Sequence, residues 1–154
     1  MTADRARAGS NASTGYPAAD ALGYERLMGR WSRLLAEPFL DFTGCGDREQ
    51  VLDVGCGTGS LTRALAARTR GGELIGIDLS AAYVEYAQKH IDDVRCGFRV
   101  SDATDLAFAD ARFDRVLSLL VLPFVPRWQT ALAQMRRVAK PGATIGAAAW
   151  DNRG

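Results

Sequence analysis

VLDVGCGTGS, Val51 to Ser60, decides how the rest of the chain is read. An apolar run carries Asp53 and meets three glycines at alternate positions, Gly55, Gly57 and Gly59. The pattern then turns helical, with Leu61, Ala64 and Leu65 on one face of a helix running to about Arg70. Gly71-Gly72 stops that helix. A strand that empties into glycines before a helix lets a ligand lie against backbone.

Working outward, the same rhythm recurs. Gln50 to Val54 reads as a first strand, and Glu73 to Ile77 as a second, ending in GIDLS. Ser80 is placed to cap a second helix over AAYVEYAQKHI. Phe98 to Val100 lies in a third strand ending in SDA, and Arg115 to Leu120 in a fourth. Arg127 to Lys140 reads as a helix with Leu132, Met135 and Ala139 on one face, closed by Pro141-Gly142. Ala143 to Ala149 is a fifth strand. Ala103 to Ala111 fits neither pattern. Upstream, Leu27, Trp31, Leu34 and Leu35 recur at helical spacing within residues 24–42, which Pro38 is expected to break or kink.

Strands alternating with helices imply a mostly parallel sheet covered on both faces. Such sheets bind ligands beyond the carboxyl ends of their strands. Polar and glycine residues do gather at those ends: GCGTG, Asp78, Asp102 and Ser118.

Three ligands compete for the glycines. A triphosphate loop needs GxxxxGK[ST], and no such lysine follows Gly55 or Gly57. A dinucleotide loop needs GxGxxG; its third glycine position falls on Ser60 counted from Gly55, and on Thr62 counted from Gly57. The segment Asp53-Val-Gly55-Cys56-Gly57-Thr-Gly59 instead matches D/E-x-G-x-G-x-G. With the strand-end acids it makes the chain, from about Tyr24 to Asp151, resemble the class I S-adenosylmethionine-dependent methyltransferases, in particular the small bacterial methyltransferase domains. The resemblance implies a three-layer αβα Rossmann-like sandwich and S-adenosyl-L-methionine as cofactor.

That cofactor has no phosphate, so it needs no lysine; it has a zwitterionic amino-acid end, a sulfonium and an adenosine. The resemblance implies that Gly55, Cys56, Gly57 and Gly59 line its methionine portion and that Asp53 reaches its ammonium. Asp78 is expected to accept from both ribose hydroxyls. Asp102 is expected to meet the adenine amino group and Ala103 to offer its N–H to the ring. Leu79 is expected to pack on the adenine, and the Ser118 backbone to face the amino group. Any one of the three aspartates alone could equally cap a helix or close a turn; their succession at strand ends favours the ligand. YERLMGRWS resembles a segment folded over the cofactor, with Tyr24 and Trp31 near the sulfonium and Arg30 on the methionine carboxylate. The alternative for Trp31 is core packing, which is preferred.

The activity so implied is methyl transfer to a small-molecule acceptor; the alternative is a cofactor-binding or interaction module without turnover. No general base or other catalytic residue is assigned. Leu119 and Pro123 stand where the family often has polar side chains. Leu120, Leu122, Pro123, Phe124 and Trp128 form an apolar rim, read either as a surface for a hydrophobic acceptor or, preferably, as packing. The chain stops just after the fifth strand, where a full family domain continues with a helix and an antiparallel strand pair. Truncation is the preferred explanation; a partner completing the sheet and a natural short form are the others. The fifth strand is then an apolar edge, a setting for pairing into a homodimer.

Composition bounds these readings. With 154 residues, 47% hydrophobic and 24% charged, the chain suits one globular domain over 21–154 after a loose tail, 1–20, rich in Ala, Ser and Gly. A net charge of +1 without long charged runs gives no argument for nucleic acid or a membrane surface. Cys45, Cys56 and Cys96 lack the spacing of a zinc or redox pair and read as reduced thiols of a cytoplasmic protein. His90, the one histidine, suits the end of a helix rather than catalysis or metal binding.

Overall fold

In a computed structural model, residues 20–151 are described; the expected tail, apart from Asp20, lies outside them. The elements run α1 (Ala21–Tyr24), a π-helical turn (Glu25–Gly29), α2 (Arg30–Thr43), β1 (Val51–Val54), α3 (Ser60–Arg68) and β2 (Leu74–Asp78). They continue with α4 (Ala81–His90), β3 (Cys96–Val100), β4 (Phe113–Leu119), a 3-10 turn (Leu122–Phe124), α5 (Trp128–Val138) and β5 (Ala139–Ala148). The five strands form one sheet in the order β3-β2-β1-β4-β5, every pair parallel. The order reverses at β1, between β2 and β4, which is where the glycines leave the sheet.

Register explains the two-sided core. Val51 pairs with Leu74 and Arg115, and Asp53 with Gly76 and Leu117. Side chains alternate along each strand, so Val51, Asp53 and Leu117 share one face and Leu52, Val54 and Val116 the other. The first face packs on α2 and α3 through Phe39, Leu40, Leu61 and Leu65, and on α4 through Val84 and Ala87, which meet Phe98 of β3. The second packs on α5 through Met135 and Val138, and on Leu106 and Phe108. The segment 103–111, unassigned by periodicity, thus supplies an irregular cover for β1, β2 and β4.

Three local expectations are corrected. Pro38 does not break its helix: α2 runs through it to Thr43. Pro38 and Leu34 are both exposed, so the carbonyl the proline leaves unbonded can face water. The last helix stops at Val138 rather than Lys140: Lys140, before Pro141, is kept out of helical dihedrals, and Ala139, extended at φ −77°, ψ 136°, already pairs with Phe113 of β4. Trp31 is not core; it is 51% exposed.

β5 pairs only with β4 and forms one edge of the sheet, with Ile145 exposed. Among the described residues, no helix is long and apolar enough to cross a membrane.

Candidate functional site

The carboxyl ends of β1 and β2 deliver the first two acids. Asp53 is 2% exposed on the face covered by α3. Thr62 Oγ1, in the first turn of α3, donates to Asp53 Oδ2 at 2.7 Å, while Asp53 Oδ1 has no hydrogen-bond partner. Desolvation pushes its carboxyl up to about 7 against the opposing pull of Thr62, and the nearby Asp78 adds to the rise. Asp78 Oδ2 accepts from the Gly57 N–H at 2.9 Å and Oδ1 from the Ser80 N–H at 2.8 Å. Burial still holds Asp78 above the ordinary carboxylate range. Ser80 caps α4 as its spacing predicted, accepting from the Tyr83 N–H.

The glycines of the loop divide their work. A Cβ on Gly55 would meet Val121 Cγ1 at 2.4 Å, and one on Gly59 would meet Ile91 Cδ1 at 2.5 Å. Those two are required by packing against the protein itself. Gly57, at φ +53°, has the Tyr24 hydroxyl as its nearest neighbour at 3.5 Å, an ordinary contact distance. The bare face of Gly57 is turned to the Tyr24 ring, and Gly55 is the glycine that also borders the hollow beside Asp53.

A small hollow opens here, between Tyr24 and Ser32 of the N-terminal helix and Asp53, Gly55, Cys56 and Thr58 of the loop. Tyr24 is held over it by a tilted ring contact with Tyr83 of α4, centroids 4.9 Å apart. Cys56 is buried; desolvation and the two aspartates push its thiol well up, so it is no ready thiolate.

The other candidates are distributed as follows. Leu79 follows Asp78 and is 71% exposed. Asp102, at the exit of the neighbouring β3, accepts from both the N–H and Oγ1 of Thr104 at 2.8 Å, which holds its carboxyl below the ordinary range. Ala103 packs partly on the second core face. Ser118 is fully buried and its Oγ lacks a partner. By alternation it points to the face opposite Asp53. Arg30 and Trp31 are not brought to the hollow: both are exposed, and the guanidinium lies 5.9 Å from the Trp31 ring centroid. His90 ends α4 on the surface, stacked on Tyr86 at 3.9 Å.

Sequence reasoning missed Glu25, Arg33, Thr58 and Thr62. Glu25 bridges Thr58 Oγ1 and Arg33 Nη1, tying the N-terminal helix to the glycine loop. The π-helical turn that aims Glu25 carries no periodicity of its own, so no sequence signal marked it. Thr62 was legible in principle, as a polar side chain in the helical turn facing a strand-end acid. Among the described residues there is no group of three or more His, Cys, Asp or Glu side chains that could hold a metal ion.

Comparison with known proteins adds the relatives. The profile of the family described as "Methyltransferase domain" matches residues 51–142. An uncharacterised protein of Mycobacterium tuberculosis is 33% identical over 113 residues, covering 72% of this chain and 40% of that protein. The malonyl-[acyl-carrier protein] O-methyltransferase of Hahella chejuensis is 32% identical over 127 residues, covering 82% and 45%. The 2-methyl-6-phytyl-1,4-hydroquinone methyltransferase of Synechocystis is 38% identical over 104 residues, covering 67% and 32%. This chain therefore spans less than half the length of these relatives. Among solved structures, a Haloferax volcanii chain described as a methyltransferase, in complex with the Trm112 activator, superposes with a TM-score of 0.79 at 29% identity, covering 84% of this chain and 57% of that one. A methyltransferase of Aquifex aeolicus shares the fold, with a TM-score of 0.75 at 23% identity over 85% of this chain and 73% of that one.

Proposed function

The chain belongs to the methyltransferase-domain family, as a class I S-adenosylmethionine-dependent methyltransferase, and from that premise we propose that it transfers a methyl group to a small-molecule acceptor by in-line displacement. One observation carries the reading: the buried Asp53 and the half-buried Asp78 lie near each other at the switch in strand order, both raised by desolvation, with the Gly57 N–H on Asp78 and a hollow beside Asp53. Such a site gains most from a ligand that brings positive charge and hydrogen-bond donors, and it repels phosphate.

S-adenosylmethionine meets that demand with an ammonium, a sulfonium and a ribose diol. The orphaned Asp53 Oδ1 fits the ammonium. Asp78 is already oriented by two backbone N–H groups and keeps lone pairs for the ribose hydroxyls. The exposed Leu79 offers an apolar face to the adenine, with Asp102 and the Ala103 N–H at its edge. The Ser118 backbone completes the methionine end, and Tyr24, leaning on Tyr83, covers the loop. When bound, the cofactor supplies a methyl group already activated by charged sulfur. The protein's part is to align the acceptor and exclude water.

The acceptor reading rests on the rim after β4. Leu120 is in the core and Leu122 packs against it, whereas Phe124 and Trp128 are 54% and 46% exposed. Two exposed aromatic side chains beside the site suit a hydrophobic or aromatic acceptor. Calorimetry against S-adenosylmethionine and NAD tests the cofactor arm, and binding of NAD alone refutes it. Methyl transfer across panels of hydrophobic small molecules, proteins and RNA tests the acceptor arm; turnover confined to a macromolecule replaces it. Asp78→Ala is expected to weaken S-adenosylmethionine binding by about 1–3 kcal/mol, roughly fivefold to 150-fold, as for a charged hydrogen-bonding group. Unchanged calorimetric affinity would contradict the ribose assignment.

A second reading is a cofactor-binding module that turns over only with a partner. The Haloferax chain's complex with an activator favours it, and the free edge of β5 offers a second copy of this chain a place to pair. Light scattering combined with turnover assays separates the two readings: a monomer that turns over unaided removes this one.

A further inference from the structure

The clasp between the N-terminal helix and the glycine loop is built around one carboxylate. Glu25 accepts from the Thr58 hydroxyl of the loop and from Arg33, two helical turns further along. Its side chain is 15% exposed, while that of Arg33 is 50% exposed. Gly29 makes room for it: a Cβ there would lie 2.5 Å from Glu25 Oε2 and 2.7 Å from Oε1. The seat therefore consists of a hydroxyl donor, a guanidinium and a missing methyl, and it fits a carboxylate.

Thr58 also lines the hollow that contains Asp53. Thr58 thus joins two features: the hollow in which Asp53 Oδ1 is an acceptor without a donor, and the carboxylate-holding pair that Thr58 forms with Arg33 next to it. That is the complement of an α-amino acid zwitterion, whose ammonium and carboxylate hang from one carbon. Arg30, the residue the sequence suggested for the carboxylate, points away to Trp31.

We infer that Thr58 and Arg33 form the seat for the carboxylate of the cofactor's amino-acid end, and that Glu25 competes with the cofactor for it. This assignment rests on the S-adenosylmethionine reading given above. The competition sets the affinity: the bound cofactor must take over donors that Glu25 already holds, and the N-terminal helix keeps its hold on the loop through the cofactor instead of through Glu25.

The test compares two ligands on three proteins. Calorimetry on the wild type, Glu25→Gln and Gly29→Ala uses S-adenosylmethionine and its decarboxylated analogue, which keeps the amine, sulfonium and adenosine. Glu25→Gln is expected to tighten S-adenosylmethionine by about fivefold to tenfold, the scale of a partly exposed ion pair with an added hydrogen bond, and to leave the analogue unchanged. Gly29→Ala, which pushes the Glu25 carboxylate aside while keeping it, is expected to act in the same direction. Within the Glu25→Gln background, Arg33→Gln should then weaken S-adenosylmethionine and spare the analogue. Equal tightening of both ligands overturns the seat, because the effect is then one of general charge. Weakening by Glu25→Gln overturns the competition, because Glu25 is then a ligand or a needed clasp. If no protein binds S-adenosylmethionine, the cofactor reading itself fails, and this assignment with it. If the analogue binds the wild type and S-adenosylmethionine does not, the cofactor reading survives and the carboxylate seat is wrong.

Discussion

Asp53→Asn is expected to stabilise the fold above neutral pH and to weaken S-adenosylmethionine binding at the same time. Burial raises the Asp53 carboxyl to about 7, against an unfolded value of about 3.9. Below about pH 4 both states hold the proton, and the site costs the fold nothing. Between about pH 4 and 7 the folded state keeps a proton that the unfolded state releases, so stability falls as pH rises, by about 4 kcal/mol in total. Above pH 7 that loss is complete. Asparagine cannot ionise, so it removes the loss, but its amide leaves a donor without a partner where Oδ1 already has none, at about 1–3 kcal/mol. The net gain at pH 8 is on the order of 1–3 kcal/mol. Asp102, Asp114 and Glu49 are lowered by their partners and have the opposite slope. Their contribution is complete once pH exceeds the carboxylate range, whereas Asp78 is raised and slopes the same way as Asp53, so the Asp53 effect is read as the difference between wild type and variant from about pH 5.5 to 7.5. Denaturant melts of both proteins across that range decide the matter. A wild-type stability that is flat there, or a variant that keeps the same slope, would show that Asp53 is ionised throughout. In the same variant the ammonium loses its charged acceptor, and calorimetry should show at least a tenfold weaker cofactor, about 1.4 kcal/mol.

How much of this was legible in the sequence follows from which signals are local. The five strands, the helices after β1 and β2 and the helix before β5 were all readable, because each buries a face whose period survives in the chain. Ser80 was readable as a cap because capping is decided within four residues. Asp53 and Asp78 were placed correctly at strand ends, since a parallel sheet delivers its loops there. The differing roles of the glycines were not legible. Gly55 and Gly59 answer to Val121 and Ile91, which are distant in sequence and adjacent only after folding. The N-terminal helix misled for a related reason. A five-residue π-helical turn shifts the facing of everything that precedes it. Glu25 and Tyr24 therefore meet the loop, whereas Arg30 and Trp31, which looked equally eligible, face solvent. Pro38 shows the converse: its usual effect on a helix was known, but whether a freed carbonyl would face water depends on packing the sequence does not print.

Gly57→Val is expected to abolish useful cofactor binding, by about a thousandfold, while leaving the sheet folded. The backbone at residue 57 has φ +53°, a region where a β-branched side chain is a true outlier and even an unbranched one costs about 1–2 kcal/mol. A Cβ at this position would sit 3.5 Å from the Tyr24 hydroxyl, so alanine fits the space, but the two methyls of valine enter the gap between the loop and Tyr24. They also crowd the N–H that orients Asp78. Overfilling of this kind costs about 1–3 kcal/mol and, like the backbone strain, is borne by the unliganded fold; the loss of binding comes from methyls standing where the ligand would lie. Gly57→Ala is the control: it carries the strain without the branched bulk, so it should lower the melting temperature while weakening binding much less than valine does. Gly55→Ala probes packing at a residue that also borders the hollow. Its new Cβ would press on Val121 at 2.4 Å, so the damage should appear first in the melting temperature. If valine at 57 binds S-adenosylmethionine like the wild type while alanine at 55 unfolds the protein, the glycine loop is a packing device and the cofactor lies elsewhere. If the Gly57 series stays folded and loses binding in order of side-chain size, the face of the loop opposite Tyr24 is where the ligand rests.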